Sequence, residues 1–435
     1  MTFQTQNDEL LTSFFEHTFF RSFKSEKGIE NMNSFEFMLG SSCNLQCKYC
    51  YYTNYGKELY PRELENPKLL TENANKVFKM LRKNNMKPKS MEIFAGEPLI
   101  KPFVIDIIKK MIIFNEESKG TITIPTNCTW AMTPEKLDRV EDLLNFSDSH
   151  HVRTFLSASI DGKFCETNRP LVAGVDTRDD DYYDRLFAFA RKHQFGFHPM
   201  VYSEEIEKWK DNFLWFQEMF KKHNIPWDNL YLLEVRNWEW SENQMKELYE
   251  FLRFLIKWTF EKCGSNVDKY IMWVFKGGMN ILRGPLSTIG RGIGCSMQAG
   301  FHLRIGDFAI VPCHRLSYPP YLYGWLNIDD DGNYKFKSHN VEMTTAIYTS
   351  DMKNQAYCEA CAIKDLCALG CLGSQYEVNG DPFVPIPTMC KMEHYKVAGI
   401  LQGFKDIGAY NKISLMMSQD AKIVALNNFG GFLWK

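Results

Sequence analysis

From Phe35 to about Trp240 the chain alternates short apolar runs with longer stretches whose apolar residues recur every three to four positions. The runs FEFML, MEIFA, TITIP, RTFLSAS, FGFHPMV and NLYLLEV are rich in β-branched and aromatic residues and have the length of strands. Between them, near 71–84, 102–115, 133–145, 181–193 and 209–223, the periodicity is helical, and a sixth helix, SENQMKELYEFLRFLIKWTF, follows the last strand. Six strand–helix repeats predict parallel strands joined by right-handed crossovers and closed into a barrel or part of one. Beyond Gly264 the helical period gives way to Gly-rich turns, the segment GFHLRIGDFAIVPC, and a Tyr/Pro-rich stretch, SYPPYLYGWLN, suited to a β-hairpin. A last helix is expected in KMEHYKVAGILQGF. The chain therefore reads as α/β, with residues 1–34 an N-terminal helical segment, 35–263 the barrel and 264–292 a linker. Residues 293–395 form a small hairpin-and-helix domain, and 396–435 a C-terminal helix and tail.

The polar interruptions fall at the strand ends. GSSCNLQCKYCYY follows the first strand, AGEPL the second, TNC the third and SIDG the fourth. In parallel α/β folds, ligand chemistry collects at the carboxyl ends of the strands, so these four segments are the candidate site.

Composition narrows the class. With 45% hydrophobic and 24% charged residues the chain is ordinary globular protein, and its formal charge of -2 offers no basic field for nucleic acid or an anionic membrane. No apolar run reaches membrane-spanning length, and the first residues lack a secretion signal, so the expected location is cytoplasmic. Against that setting, 13 cysteines are too many for structural disulfides. Cys43, Cys47 and Cys50 lie together, and seven more run from Cys295 to Cys390, whereas Cys128, Cys165 and Cys263 are scattered and read as buried thiols. Two clusters point to two metal-bearing regions.

Cys43-x3-Cys47-x2-Cys50 supplies three thiolates from one loop, enough for three corners of an iron–sulfur cubane with the fourth iron open. A three-cysteine zinc site or buried thiols are the plainer alternatives. With Tyr49 before the last cysteine, the motif resembles the signature of the radical S-adenosylmethionine (radical SAM) superfamily. That resemblance implies a partial (β/α)6 barrel and a [4Fe–4S] cluster whose open iron chelates SAM. It also implies reductive cleavage of SAM to a 5′-deoxyadenosyl radical that abstracts hydrogen from an unactivated C–H bond. By the same resemblance Ala95-Gly96-Glu97-Pro98 matches a Gly-Gly-Glu-Pro motif that meets the SAM amino group, with Ala95 in place of the first glycine. Asn127, and Ser159 with Asp161, match positions that bind the SAM ribose or carboxylate. Taken singly, Glu97 reads as a surface charge and Asp161-Gly162 as a turn.

Cys358-x2-Cys361-x5-Cys367-x3-Cys371 and then Cys390, preceded by Cys295 and Cys313, resembles a SPASM domain with two auxiliary [4Fe–4S] clusters. Taken alone, the C-x2-C pair also suits zinc. The resemblance implies that Cys358, Cys361, Cys367 and Cys390 hold the distal cluster, and Cys295, Cys313 and Cys371 the nearer one. The nearer cluster is then one ligand short, which leaves an open iron or an unconventional ligand such as His302. In all, three clusters and SAM are implied as cofactors.

SPASM proteins mostly modify peptides or proteins. The reading adopted is a maturase of ribosomally made peptides that installs a thioether, ether or carbon–carbon cross-link in a precursor peptide. Its implied partners are an electron donor such as flavodoxin or ferredoxin and a separate leader-recognition protein, since only 34 residues precede the first strand. The alternative is an anaerobic sulfatase-maturing enzyme that forms formylglycine. That family carries aspartate after the cysteine matching Cys313, where this chain has His314, a candidate base of its own. A non-enzymatic iron–sulfur carrier or scaffold is the third reading, and the SAM-site motifs argue against it. Tyr202 and Trp238, near strand ends, are candidates to wall the cavity and exclude water.

Overall fold

The computed structural model describes residues 29–236, 239–268, 270, 300–349, 356–359, 361, 363, 367 and 370–411. Residues 1–28, Trp238, Cys295, most of the 264–292 linker and the tail beyond 411 lie outside the described residues, and residues 29–34, expected within a helical N-terminal segment, are strand instead because they pair with the second strand. The chain divides into two compact units that interleave along the sequence: Met1–Ala158, Arg169–Phe195 and Ser296–Thr349 in one, Ser159–Asn168, Gly196–Cys295 and Ser350–Lys435 in the other.

The first unit is built on β1 (Ile29–Met38), followed by α1 (Tyr51–Leu59) and α2 (Pro67–Lys83), then β2 (Met86–Phe94), α3 (Pro102–Ser118), β3 (Thr121–Thr126), α4 (Pro134–Ser149), β4 (Arg153–Ala158) and α5 (Asp180–His193). β1, β2, β3 and β4 pair in sequence order and all in parallel. The strand–helix alternation expected from the sequence is borne out, and the helix ends follow ordinary chemistry. Asn66 caps α2 by accepting from Lys68 N and Leu69 N, with Pro67 at the first helical position, and Asp179 caps α5 through Tyr182 N. β1 and β2 start earlier than the apolar runs do. MKPKS, outside the expected strand MEIFA, continues β2, because Met86 and Pro88 pair with Ile29 and Met32.

In the second unit β5 (Gly196–Phe197) and β6 (Met200–Val201) divide the run expected as one fifth strand. Pro199, which lacks an amide hydrogen, sits between them, and Met200 N donates to the Asp161 carboxylate. Then come α6 (Trp209–Lys222), β7 (Leu233–Glu234), parallel to β6, and α7 (Glu242–Cys263), whose start carries a reciprocal Ser241/Gln244 capping box.

The largest departure from the sequence reading lies in the first unit. β8 (Gly300–Arg304) lies parallel to β1 on the side away from β2, and β9 (Ala309–Val311), β10 (Gly324–Ile328) and β11 (Tyr334–Ser338) extend the sheet antiparallel, so part of the expected small domain lengthens the sheet that β1–β4 begin. The hairpin is β10–β11, turning at Asp329–Asn333. SYPPY instead forms a short 3₁₀ turn, because consecutive prolines donate nothing to a ladder. α8 (Val341–Thr349) closes this unit. α9 (Ala356–Glu359), α10 (Leu372–Asn379) and α11 (Pro387–Asp406) belong to the second unit.

Alternation along β1 decides what each face carries. Phe35 and Phe37, fully buried, turn to one side, where Phe35 meets Phe301 of β8 and Phe37 stacks on Phe78 of α2. Glu36 therefore faces the other way. Under the C-terminal end of β1, Met38, Tyr60, Ala309, Val311 and Leu322 form a core cluster with Tyr52 and Phe94 packed against it. In the second unit α7 and α11 approach closely where Gly399 lies over the Tyr249 backbone, 2.8 Å from where a side chain would begin. No described helix is long and apolar enough to cross a membrane.

Asn73 of α2 is buried and donates to the carbonyls of Ile305 (2.8 Å) and Gly306 (3.2 Å), joining the helix to the β8–β9 turn. Asn73→Ala should lower unfolding free energy by about 1–3 kcal/mol, the cost of stranding buried carbonyls. Urea denaturation against the exposed Glu72→Ala control on the same helix checks this.

Candidate active site

The cluster loop starts where β1 ends and is held before it reaches the first cysteine. The Glu65 carboxylate accepts from Ser41 N and Oγ (2.9 Å each), from Ser42 N (3.3 Å) and from Ser42 Oγ. Partial burial works against the ionised form, but these donors hold Glu65 below its ordinary pKa. Further along, Gln46 N donates to Pro170 O and Val172 N to Asn44 O around a Leu45–Leu171 bridge. The loop then turns, with Cys50 N donating to Cys47 O, and Cys50 begins α1. Cys43, Cys47 and Cys50 are all half-buried, and Tyr49 is buried.

The AGEP turn touches this loop backbone to backbone. Gly96 has φ of +66°, and a Cβ there would lie 2.2 Å from Ser42 O; Glu97 N donates to the same oxygen at 3.3 Å. Ala95, buried and outside the positive-φ region, stands where the motif resemblance expects a glycine. Glu97 has no exposure. It accepts from Leu99 N (3.1 Å), Thr126 Oγ1 (2.9 Å) and Asn127 N (2.5 Å). Burial nevertheless dominates and pushes its carboxyl up to about 7.

Asn127 ties the third strand end to the cysteine loop. Its amide nitrogen donates to Asn44 Oδ1 (2.9 Å) and to Cys43 Sγ (3.5 Å), and its oxygen accepts from Thr129 N (3.0 Å) and Oγ1 (2.7 Å). Through these bonds the side chain, expected from the sequence to meet SAM, also ties the end of β3 to the cysteine loop. The first unit thus brings together Cys43, Gly96, Glu97 and Asn127.

Ser159 and Asp161 fall in the second unit. Asp161 is buried, with its carboxylate accepting from Met200 N (3.0 Å) and its carbonyl from Asn212 Nδ2 (2.6 Å). Tyr202 of that unit is buried too.

The donors at the first loop fit an iron–sulfur cluster. Burial, reinforced by Glu97, pushes the Cys43 thiol up to about 11, so a nearby cation is needed to favour its thiolate. Two N–H groups, Leu45 N at 3.4 Å and Asn127 Nδ2, already point at that sulfur. Among the described residues no three His, Cys, Asp or Glu side chains converge at the spacing of a single metal ion. A four-iron cluster needs a different spacing, because each thiolate meets its own iron.

Sequence reasoning missed Glu36. It is 3% exposed, with His314 Nδ1 2.9 Å from one carboxylate oxygen and His302 Nδ1 3.2 Å from the other. Burial opposes ionisation, yet the two imidazoles hold Glu36 well below the usual carboxylate range. Glu92, its partner in the β1–β2 register, is raised by burial and by Glu36. His314 stacks flat on Phe94 (centroids 4.2 Å apart, planes at 7°), and Tyr52 donates to its carbonyl. His302, a sequence candidate for cluster ligation, here faces Glu36.

In the second unit Cys358, Cys367, Cys371 and Cys390 line one cleft, partly open to solvent. Cys361 lies 3.5 Å from His394 Nε2, one helical turn beyond Cys390, a neighbour that sequence reasoning also missed. Four thiols lining one cleft suit a thiolate-held cluster; burial, reinforced by Cys358 and Cys361, pushes the Cys390 thiol up to about 11.

No family model matches the chain. Over 97 residues it is 32% identical to the radical SAM cyclopropyl synthase TigE of Paramaledivibacter caminithermalis, a match covering 20% of each chain, so it spans about a fifth of that relative's length. Among solved structures it is similar to native anSMEcpe with bound AdoMet and Cp18Cys peptide (TM-score 0.54, 16% identity, 88% of this chain and 99% of that one). It is also similar to a polyhistidine-tagged form of anSMEcpe with bound AdoMet (TM-score 0.53, 16% identity, 91% and 98%). At that identity the likeness is one of fold.

Glu36→Gln should cost about 1–3 kcal/mol at pH 6, because each imidazole loses a charged partner. A carboxyl depressed in the folded state stabilises above its ordinary pKa and loses that contribution on acidification. The gap from wild type should therefore shrink as the pH falls below about 4.5, and urea melts at stepped pH read it.

Proposed function

We propose that this chain is a radical SAM enzyme with a SPASM-type auxiliary region that modifies a residue within a peptide, forming a cross-link or ring in a ribosomally made precursor. The observation that carries the reading is the hydrogen-bonded junction of the Cys43 loop, the Gly96–Glu97 turn and Asn127 at the carboxyl ends of three parallel strands. An electron carrier needs none of it.

Cys43, Cys47 and Cys50 are the residues to hold the SAM-binding cluster, and Cys358, Cys361, Cys367 and Cys390, with Cys295, Cys313 and Cys371, the auxiliary ones. Together, cluster and SAM supply one-electron chemistry able to break an unactivated C–H bond. What the chain's own residues contribute is position and seclusion. Glu65 and Asn127 hold the loop, and Gly96 lets the second strand end approach it. The aromatic rings of Tyr52 and Phe94, packed beside His314, keep water from that part of the sheet. His314, oriented by Glu36, is the candidate acceptor for a substrate proton.

A peptide substrate is supported by the fold shared with anSMEcpe, whose structure holds one, and by the similarity to a cyclopropyl synthase. Formylglycine formation is the second reading, favoured by the same fold likeness, and His314 in the place of aspartate weighs against it. The reading implies a low-potential donor such as flavodoxin or ferredoxin, a separate leader-recognition protein and a reducing, cytoplasmic setting.

After anaerobic reconstitution, SAM and dithionite should yield 5′-deoxyadenosine and methionine. Cys43→Ala should abolish that yield, whereas Cys361→Ala should keep it and lose the modified peptide. No 5′-deoxyadenosine from iron-loaded wild type would sink the enzyme reading. A peptide product two hydrogens lighter and inert to hydrazide supports bond formation, and a hydrazide-reactive aldehyde supports the second reading.

A further inference from the structure

The cleft of the second unit holds more than thiols. Gln375 and Ser374, on the first turn of α10, line it beside Cys371, and each is 1% exposed. Among the described residues both amide atoms of Gln375 and the Ser374 hydroxyl have no hydrogen-bond partner. A buried amide without a partner is costly, and proteins keep few of them. Here two such side chains sit on the wall of one cleft.

A cation stands on the same wall. Arg236 donates to Glu234 through Nε (3.0 Å) and Nη2 (2.7 Å). Lys396, 1% exposed, donates to the same Glu234 oxygen (3.0 Å) and pairs with Glu393. The two buried acids balance the two bases, and Arg236 is held by Glu234 independently of any occupant of the cleft. The cleft wall thus combines apolar Pro385, Ile386 and Met389 with the charged Arg236 and Glu393, and beside the cysteines the donors not already committed among the described residues are the Gln375 amide and the Ser374 hydroxyl.

We propose that Gln375 and Ser374 donate hydrogen bonds to sulfur atoms of the iron–sulfur cluster held in this cleft and set its reduction potential. The proposal rests on the reading of the cleft as a cluster site. Donors to sulfur stabilise the form that carries the extra electron, so they raise the potential. Both side chains act through the cluster and are positioning residues.

The test uses the full chain, reconstituted anaerobically, with iron counted and each cluster followed by electron paramagnetic resonance at controlled potential. The signal lost in Cys390→Ala identifies the cluster of the cleft. Gln375→Leu should keep the iron count and leave the other signals in place. At fixed potential it should move the reduced-to-oxidised ratio of that one signal about tenfold towards oxidised, equivalent to about 59 mV for one electron. Ser374→Ala should move it the same way by less. Unchanged ratios in both variants overturn the proposal. Should Gln375→Leu lose iron, Ser374→Ala decides alone: a shift supports the assignment, and no shift overturns it. If Cys358→Ala and Cys390→Ala both retain the wild-type iron and every signal, the cluster reading of the cleft fails, and the proposal falls with it.

Discussion

A carboxylate with no exposed surface, Glu97, sets the geometry on which the site depends. Its oxygens collect donors from the end of β3 and from its own turn, while its backbone nitrogen reaches the carbonyl of Ser42. Removing an acid from water is costly, and here hydrogen bonds offset that cost more than charge does. The arrangement holds only if β2 and β3 are adjacent, parallel and in register, so the sheet and the site specify each other.

Much of this was legible in the chain. The strand–helix alternation, the strand ends that matter and the capping residues all follow from local pattern, because period, turn chemistry and caps are short-range properties. Glu36 was not legible. A single acid within FEFML reads as the solvent side of an alternating strand, yet here that side is taken up by His302 and His314, and Glu36 is buried.

Its histidine partners come from far along the chain, and local pattern could not foretell that β8 would lie beside β1. The divided fifth strand was legible in principle, from Pro199. His394 had a weaker signal, one turn after Cys390 on a helix whose apolar face was plain. Asn127 was found by motif, while its ties to Asn44 and Cys43 come from the geometry of its amide.

The clamp on the cluster loop bears on how the holoprotein is assembled. Glu65, the Leu45–Leu171 bridge and Asn127 shape the thiol-bearing loop from protein contacts alone. In small zinc domains the metal is the core and the apo chain is unfolded. Here the thiol-bearing loop is tied to the rest of the first unit by polar and backbone contacts that no thiol makes, so its shape belongs to the surrounding fold as well as to the cysteines.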